Sequence, residues 1–327
     1  MNTLFYSFTG IMDNTYYPNL IIIPMLANIN INTMNKRFNL LLLAILIPLC
    51  GIKAENKITI GVIQYDWSDI DKSFKELHDS GFGSCQLQYS QKMDKNFAEK
   101  LKAASKKHQI KVTTVVSVPG HCVWNFKEGP STIGLVPENG REEKLAVYRK
   151  MIDFCVMADI PAMHSHFGFI PEDLASEQYK SFIEVMKGLA NYAKERNVMI
   201  YFETGQETPI TLIRAIKDIG TGNLFINCDL ANLLMYGKAN SLDAVKLFGS
   251  LIKEFHAKDG KYPDPNNPYV LGKEVNIPEG DVNFPAVIEE LKRQNFQGSL
   301  TIECELGDSN RDYVIKTRKY LQELLDK

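Results

Sequence analysis

No Cys-x-x-Cys pair occurs anywhere in this 327-residue chain. Its six cysteines are Cys50 and, beyond Ala54, Cys85, Cys122, Cys155, Cys228 and Cys304, most of them inside strand-like or helix-like runs. That pattern argues against a disulfide framework or a thiolate zinc site and reads as small buried hydrophobes. An excess of one charge is missing too. With 37 Lys and Arg against 39 Asp and Glu the formal net charge is −2, and no Lys/Arg stripe interrupts the mixture. Nothing therefore invites a nucleic-acid partner. No G-x-G-x-x-G and no P-loop follows any strand-like run, which weakens a nucleotide-binding reading.

The longest apolar run, Leu40 to Leu49, is too short to cross a bilayer as a helix. It follows Lys36 and Arg37 and precedes a polar chain from Glu55, with Ile52 and Ala54 forming a plausible cleavage site. Residues 34–54 therefore read as a secretory signal, residues 1–33 as an upstream extension or over-read start, and 55–327 as the mature domain. Leu49 is bulky where a lipoprotein signal needs a small residue, which argues against lipid attachment at Cys50. The expectation is an exported, periplasmic protein with no stable membrane span after cleavage.

From residue 57 onward, short apolar runs alternate with longer amphipathic ones, eight strand-plus-helix units in about 270 residues with no linker-like break. Such alternation implies a parallel sheet. Eight units of this length suit a single closed (β/α)8 TIM barrel better than an open sheet.

Barrels of this kind carry their chemistry at the C-terminal strand ends. Side chains alternate along a strand, so parity tells which residues point together. "YFETG" sets Tyr201 and Glu203 on one face, "INCD" sets Asn227 and Asp229, "FHAKDG" sets His256 and Lys258, and "TIECE" sets Thr301, Glu303 and Glu305. Glu203, Asp229, His256 and Glu303 are thus aimed into one mouth. Three carboxylates and an imidazole so placed repel unless a cation joins them. An oxygen-rich set with one nitrogen and no thiolate suits one divalent ion, Mn2+ first, with Mg2+, Co2+ or Zn2+ as further candidates. Taken singly, each of these residues reads as well as a solvated or salt-bridged loop end; the register of four makes the case.

The segments "YFETGQETP", "INCDLANLLMYG", "FHAKDG" and "EGDVNFPAVIEELKRQNFQGSLTIECE", in that order, resemble the xylose-isomerase-like TIM-barrel superfamily of sugar isomerases and epimerases. The likeness covers roughly residues 57–325. It implies the same four metal ligands, and acid/base work for Glu203 and Glu303 on either side of a substrate. Two departures stand out. Ketose 3-epimerases of this kind carry a histidine where this chain has Asn232, and an arginine-bearing segment where it has "AKDGKYPDP".

A metal at this site would polarise a sugar carbonyl and its neighbouring hydroxyl and stabilise an enediolate, while a carboxylate removes the α-proton. Lys258 is placed to hold oxyanion charge, with an ion pair to Asp259 or Glu305 as its structural alternative. His166 is a candidate for proton transfer and His164 for substrate hydroxyls; a plain strand-end role is the alternative for both. Gln206 and Glu207 are candidates to orient ligands or substrate. Asn232, Gln86 and Gln88 are weaker binding candidates, and His121 with Trp124 a sugar-stacking wall.

The expected reaction is isomerisation or epimerisation of an unphosphorylated sugar or keto-sugar. A lyase eliminating the aglycone from a 3-keto-glycoside stands close behind. A metal-dependent endonuclease on the same barrel needs more His and Asp ligands and a basic groove, which the chain's six histidines and balanced charge do not provide. A non-catalytic sugar-binding barrel is the third class. The partners expected are a small-molecule sugar or keto-glycoside and, in assembly, a homo-oligomer.

Overall fold

In the computed structural model the described residues are 58–306 and 311–327. The expected signal segment, residues 34–54, and the stretch before it lie outside them. Ten strands are described: β1 (Thr59–Gln64), β2 (Ser84–Gln88), β3 (Lys111–Val116), β4 (Ala162–Ser165), β5 (Met199–Glu203), β6 (Leu224–Asp229), β7 (Ile252–Ala257), β8 (Asp259–Lys261), β9 (Lys273–Val275) and β10 (Ser299–Ile302). Eight of them close a barrel in the order β1-β10-β7-β6-β5-β4-β3-β2, all neighbours parallel. The strands β8 and β9 form a separate antiparallel hairpin.

The connecting helices are α1 (Ile70–Asp79), α2 (Lys95–His108), α3 (Gly129–Thr132), α4 (Arg141–Met157), α5 (Glu177–Lys194), α6 (Pro209–Ile219), α7 (Leu230–Met235), α8 (Ser241–Phe248), α9 (Phe284–Arg293) and α10 (Arg311–Leu325). Most start where the sequence supplies a cap. Asp69, Asp94, Ser176, Thr208, Asp229, Asn240 and Asn283 each accept a hydrogen bond from a first-turn N–H, satisfying donors that a helix start leaves open. Thr208 is followed at once by Pro209, whose fixed φ suits the first helical position. No described helix is long and apolar enough to cross a membrane.

Parity sorts the strands as expected. Ile200, Phe202, Ile226, Cys228, Phe255, Leu300 and Ile302 join the apolar layer under the helices. Their alternates Tyr201, Asn227, Glu254, His256 and Thr301 are buried on the other face, in the barrel lumen. Burying a Leu, Ile or Phe side chain contributes about 1.5–3 kcal/mol, so a slip of one residue would forfeit a whole strand's share.

Two features escaped the sequence. The stretch between β3 and α4 contains the single turn α3, and the stretch after β7 contains the hairpin β8–β9. Strands of three residues are too short to display alternation. The β3–α4 stretch is also tied down from below. Lys144 Nζ donates to the carbonyls of Thr132 and Gly134 at 2.6 and 2.9 Å, and Arg141 donates to those of Val136 and Pro137. Gly134 sits at φ +68°, and a Cβ there would run into the Phe167 backbone, so only glycine fits.

Candidate metal centre and active site

The strands β5, β6, β7 and β10 are consecutive in the barrel. Glu203 and Asp229 close β5 and β6, His256 is the penultimate residue of β7, and Glu303 follows β10 directly. All four are buried, and one ligand atom from each lies within 4.8 Å of the others. The geometry centres on His256 Nδ1, which stands 2.9 Å from Glu303 Oε2, 3.0 Å from Glu203 Oε1 and 3.6 Å from Asp229 Oδ2.

Its hydrogen bonding shows what these atoms wait for. The other imidazole nitrogen of His256, Nε2, lies 2.8 Å from Gln86 Oε1. An amide oxygen can only accept, so Nε2 carries a proton, and Nδ1 is the nitrogen aimed at the carboxylates, its lone pair free for a cation once any second proton leaves. Asp229 divides its carboxylate similarly: Oδ1 accepts the Asn232 N–H at 2.7 Å and caps α7. Neither Asp229 Oδ2 nor His256 Nδ1 has a hydrogen-bond partner, though both are fully buried. Buried polar atoms are ordinarily satisfied. Three carboxylates and one neutral imidazole nitrogen, two of the four donors unpartnered, fit a divalent cation, and Glu203, Asp229, His256 and Glu303 could hold one.

The titration of the bare site agrees. Burial pushes Asp229 up to about 6, against the pull of His256 and Lys258. Burial alone would lower His256, but the charges of Glu303 and Glu203 outweigh it and hold its pKa well above the usual value. Burial opposes ionisation of Glu303 as well, yet Lys258 and His256 keep it down at about 2. The site is a well of negative potential that retains protons until a cation displaces them.

Above these residues lies a cavity of about 340 Å3. Glu203, Glu303, Lys258, His166, Gln206, Asn232 and Trp124 all line it, and so do Gln88 and Glu305. His166 Nε2 is 3.5 Å from Glu203 Oε1, and its Nδ1 is 3.1 Å from Gln206 Oε1. Trp124 packs edge-on against the His166 ring, centroids 5.0 Å apart. Lys258 is 2% exposed, and its Nζ donates to Glu305 at 2.6 Å while standing 3.4 Å from Glu303.

Four of the expected binding residues lie off the cavity wall, one of them Gln86, which is fully buried against His256. His164 is fully buried beneath Glu203, Nε2 3.5 Å from Glu203 Oε2 and Nδ1 2.8 Å from the Thr114 hydroxyl; burial lowers its pKa to about 3, so it stays neutral. It packs beneath Glu203, away from the cavity. Glu207 is buried and pushed up to about 7, and like His121, which is exposed, it is not among the lining residues. Asp259 does not support Lys258. Its carboxylate accepts the N–H groups of Gly260, Gly280 and Val282 and ties the segment entering α9 back onto the start of β8. Its backbone polarity demand, not its charge, decides its place.

Two tyrosines on the cavity wall were missed. Tyr65 lies one position beyond β1, where the strand-end rule points as surely as it does to Glu303. Burial, with Glu303 and Glu305, raises its phenol well above the ordinary value. Tyr236 comes from the end of α7, has a buried hydroxyl without a partner, and carries no pattern a sequence reader could use.

A family model described as xylose isomerase-like TIM barrel matches residues 74–324. An inosose dehydratase of Clostridium perfringens is 24% identical over 166 residues, 46% of this chain and 56% of that protein. The curated relatives it matches are covered over only 55–65% of their length. Among solved structures, a xylose isomerase domain protein of Planctomyces limnophilus is 26% identical, with a TM-score of 0.73 over 82% of this chain and 95% of that one. A 3-keto-D-glucoside 4-epimerase of E. coli is 17% identical, with a TM-score of 0.61 over 82% of this chain and all of that one, a likeness of fold.

Proposed function

The chain belongs to the xylose isomerase-like TIM barrel family, and on that premise we propose that it is a divalent-metal-dependent enzyme which abstracts the proton α to the carbonyl of an unphosphorylated sugar or keto-sugar and returns it, as an isomerase or epimerase. One observation carries this reading: Glu203, Asp229, His256 and Glu303 converge with Asp229 Oδ2 and His256 Nδ1 unpartnered, at the floor of a cavity that Glu203 and Glu303 also line. A divalent ion held there, Mn2+ being the favoured one, would act as a Lewis acid on a sugar carbonyl and the adjacent hydroxyl.

The rest belongs to the side chains. Glu203 and Glu303 come from strands three places apart in the barrel, β5 and β10, so they reach the cavity from different sides. One can take the α-proton while the other returns it to the opposite face of the carbon. His166, in contact with Glu203, is placed to exchange protons with it. Lys258 stands beside Glu303, where it stabilises oxyanion charge. Trp124, Gln206 and Asn232 present an apolar face and amide groups to a sugar's ring and hydroxyls.

The cavity charge supports an unphosphorylated substrate. Glu203, Glu303 and Glu305 face it against the single ammonium of Lys258, and no arginine among the described residues lines it, so it lacks the guanidinium fork that grips a phosphate or carboxylate. The leader-like residues 34–54 support export to the periplasm, where phosphorylated sugars are scarce.

A second reading is favoured by the inosose dehydratase relative. The same proton abstraction followed by departure of a β-oxygen makes a lyase, releasing water or, from a 3-keto-glycoside, the aglycone. Incubating the Mn2+-loaded protein in D2O with free ketoses, aldoses and 3-keto-glycosides, followed by proton NMR, separates the two. Deuterium beside an intact carbonyl marks the isomerase or epimerase, an unsaturated sugar with free aglycone marks the lyase, and neither exchange nor elimination on any substrate defeats both.

A further inference from the structure

Gln86 belongs to β2, which in the closed barrel is three strands from β7, on the far side of the lumen from His256. It is nonetheless fully buried and spans that lumen to place Oε1 2.8 Å from His256 Nε2. Its amide nitrogen is turned the other way, 3.4 Å from Asn227 Oδ1 and 3.5 Å from Glu254 Oε2. The amide is thus oriented with its nitrogen toward Asn227 and Glu254 and its oxygen toward His256. The backbone makes room for this arrangement. Pairing of β2 with β3 slips by one residue between Cys85 and Gln86, and pairing of β6 with β7 slips between Ile226 and Asn227. Both irregularities fall in the layer that holds Gln86, Asn227 and Glu254. Slips of this kind re-aim side chains next to functional sites.

From this geometry we infer that Gln86 is a positioning residue for the metal centre, locking His256 in the tautomer whose Nδ1 lone pair is offered to a cation. The role rests on the metal-site reading given above. Remove the acceptor, and Nε2–H is left buried without a partner; the imidazole then gains by flipping, or by carrying its proton on Nδ1, and either change closes the site to a cation. The choice of an amide has its own consequence. A carboxylate in that position would add a negative charge to a lumen that already holds Glu254, whereas an amide orients His256 without one.

The test uses the full chain, titrated with Mn2+ by calorimetry and followed by Mn2+ electron paramagnetic resonance, with melting of the metal-free form as a fold control. The Gln86→Met substitution keeps the volume and removes the acceptor. It should weaken Mn2+ binding by roughly 10–100-fold, the usual consequence of losing an outer-shell partner, and alter the spectrum of the bound ion. Paired substitutions Gln86→Glu and Glu254→Gln exchange acid and amide, restore an acceptor to His256, and should recover most of the lost affinity. Wild-type affinity in Gln86→Met, with only a lower melting temperature, would reduce Gln86 to a core packing residue and overturn the inference. An exchanged pair as weak as Gln86→Met would overturn it as well. Failure of the wild-type protein itself to bind Mn2+ would sink the metal reading first, and this inference with it.

Discussion

His256 Nδ1 lies 2.9 Å from Glu303 Oε2, and because the other imidazole nitrogen gives its proton to Gln86, the proton that the raised pKa of His256 retains in the free site sits on Nδ1, among the carboxylates. The two residues are 47 positions apart in sequence but come from hydrogen-bonded strands, with the β8–β9 insertion looped out between them. Once that proton leaves, a lone pair and a carboxylate in such proximity are a pair only through a third party, and the third party that fits is a divalent cation.

The Asp229→Asn and His256→Ala substitutions each remove one of the two unpartnered donors. Each should abolish metal-dependent turnover and weaken Mn2+ binding by more than the roughly 10–100-fold that loss of an outer-shell partner causes. Cooperative unfolding should persist in both, since the apolar layer lies on the opposite face of the strands. Asp229→Asn will also test the α7 cap, because its amide oxygen can still accept the Asn232 N–H. Calorimetric titration beside a urea melt reads the two effects separately, and full activity in either variant would refute the assignment.

Metal affinity should rise with pH, and the direction follows from which state holds protons. In the free site His256 has its pKa raised and Asp229 sits at about 6; both must be deprotonated to ligate. Glu303, held down at about 2, is already ionised and contributes nothing to the slope. Above pH 6, for as long as His256 keeps its proton in the free site, one proton is released on binding and affinity should rise roughly tenfold per unit, levelling off once the pH passes the raised pKa of His256. Below pH 6 Asp229 adds a second proton and the slope steepens. Titrations in buffers of different ionisation enthalpy count the protons directly.

Lys258→Met retains the length of the side chain and removes its charge. If Lys258 stabilises developing oxyanion charge, kcat should fall by roughly 10²–10³, with little change in Mn2+ affinity. If the side chain serves only as an ion pair for Glu303, Glu305 and Glu274, the loss will appear in thermal stability and leave kcat near its wild-type value. Steady-state kinetics alongside a melting curve distinguishes the two.

Much of this site could be read from the chain because strand parity is rigid. A residue two before or after another on a strand shares its face, so "YFETG", "INCD", "FHAKDG" and "TIECE" place Glu203, Asp229, His256 and Glu303 with no knowledge of the fold beyond its class. The same logic fails where position depends on something other than parity. His164 and His166 share a face, but His164 sits one step deeper in the lumen and ends up under Glu203 while His166 reaches the cavity. Asp259 looks like a charge partner for Lys258, but three backbone N–H groups claim it first. Gln86 is the instructive case. Its reach across the lumen to His256 depends on two register slips that leave no mark in the residue order.

Trp124 provides the sharpest separation of binding from chemistry. It lines the cavity but remains 46% exposed, held edge-on to His166 by a stretch that Lys144 and Arg141 anchor from α4. Its indole can pack against a sugar ring without touching the reacting carbon. An aromatic contact of this kind contributes about 0.5–1.5 kcal/mol beyond its buried area, so Trp124→Ala should raise KM by roughly 2–10-fold and leave kcat within about twofold. Gly134→Ala approaches the same wall from the backbone. It forces a Cβ into Phe167 at a positive φ, displacing the stretch that carries Trp124 while every metal ligand stays in place. It should therefore raise KM in the manner of Trp124→Ala and leave Mn2+ affinity unchanged. A fall in metal affinity would mean that the β3–α4 stretch braces the metal centre through His166 and Glu203, and that Trp124 acts on the carboxylate as well as on the substrate.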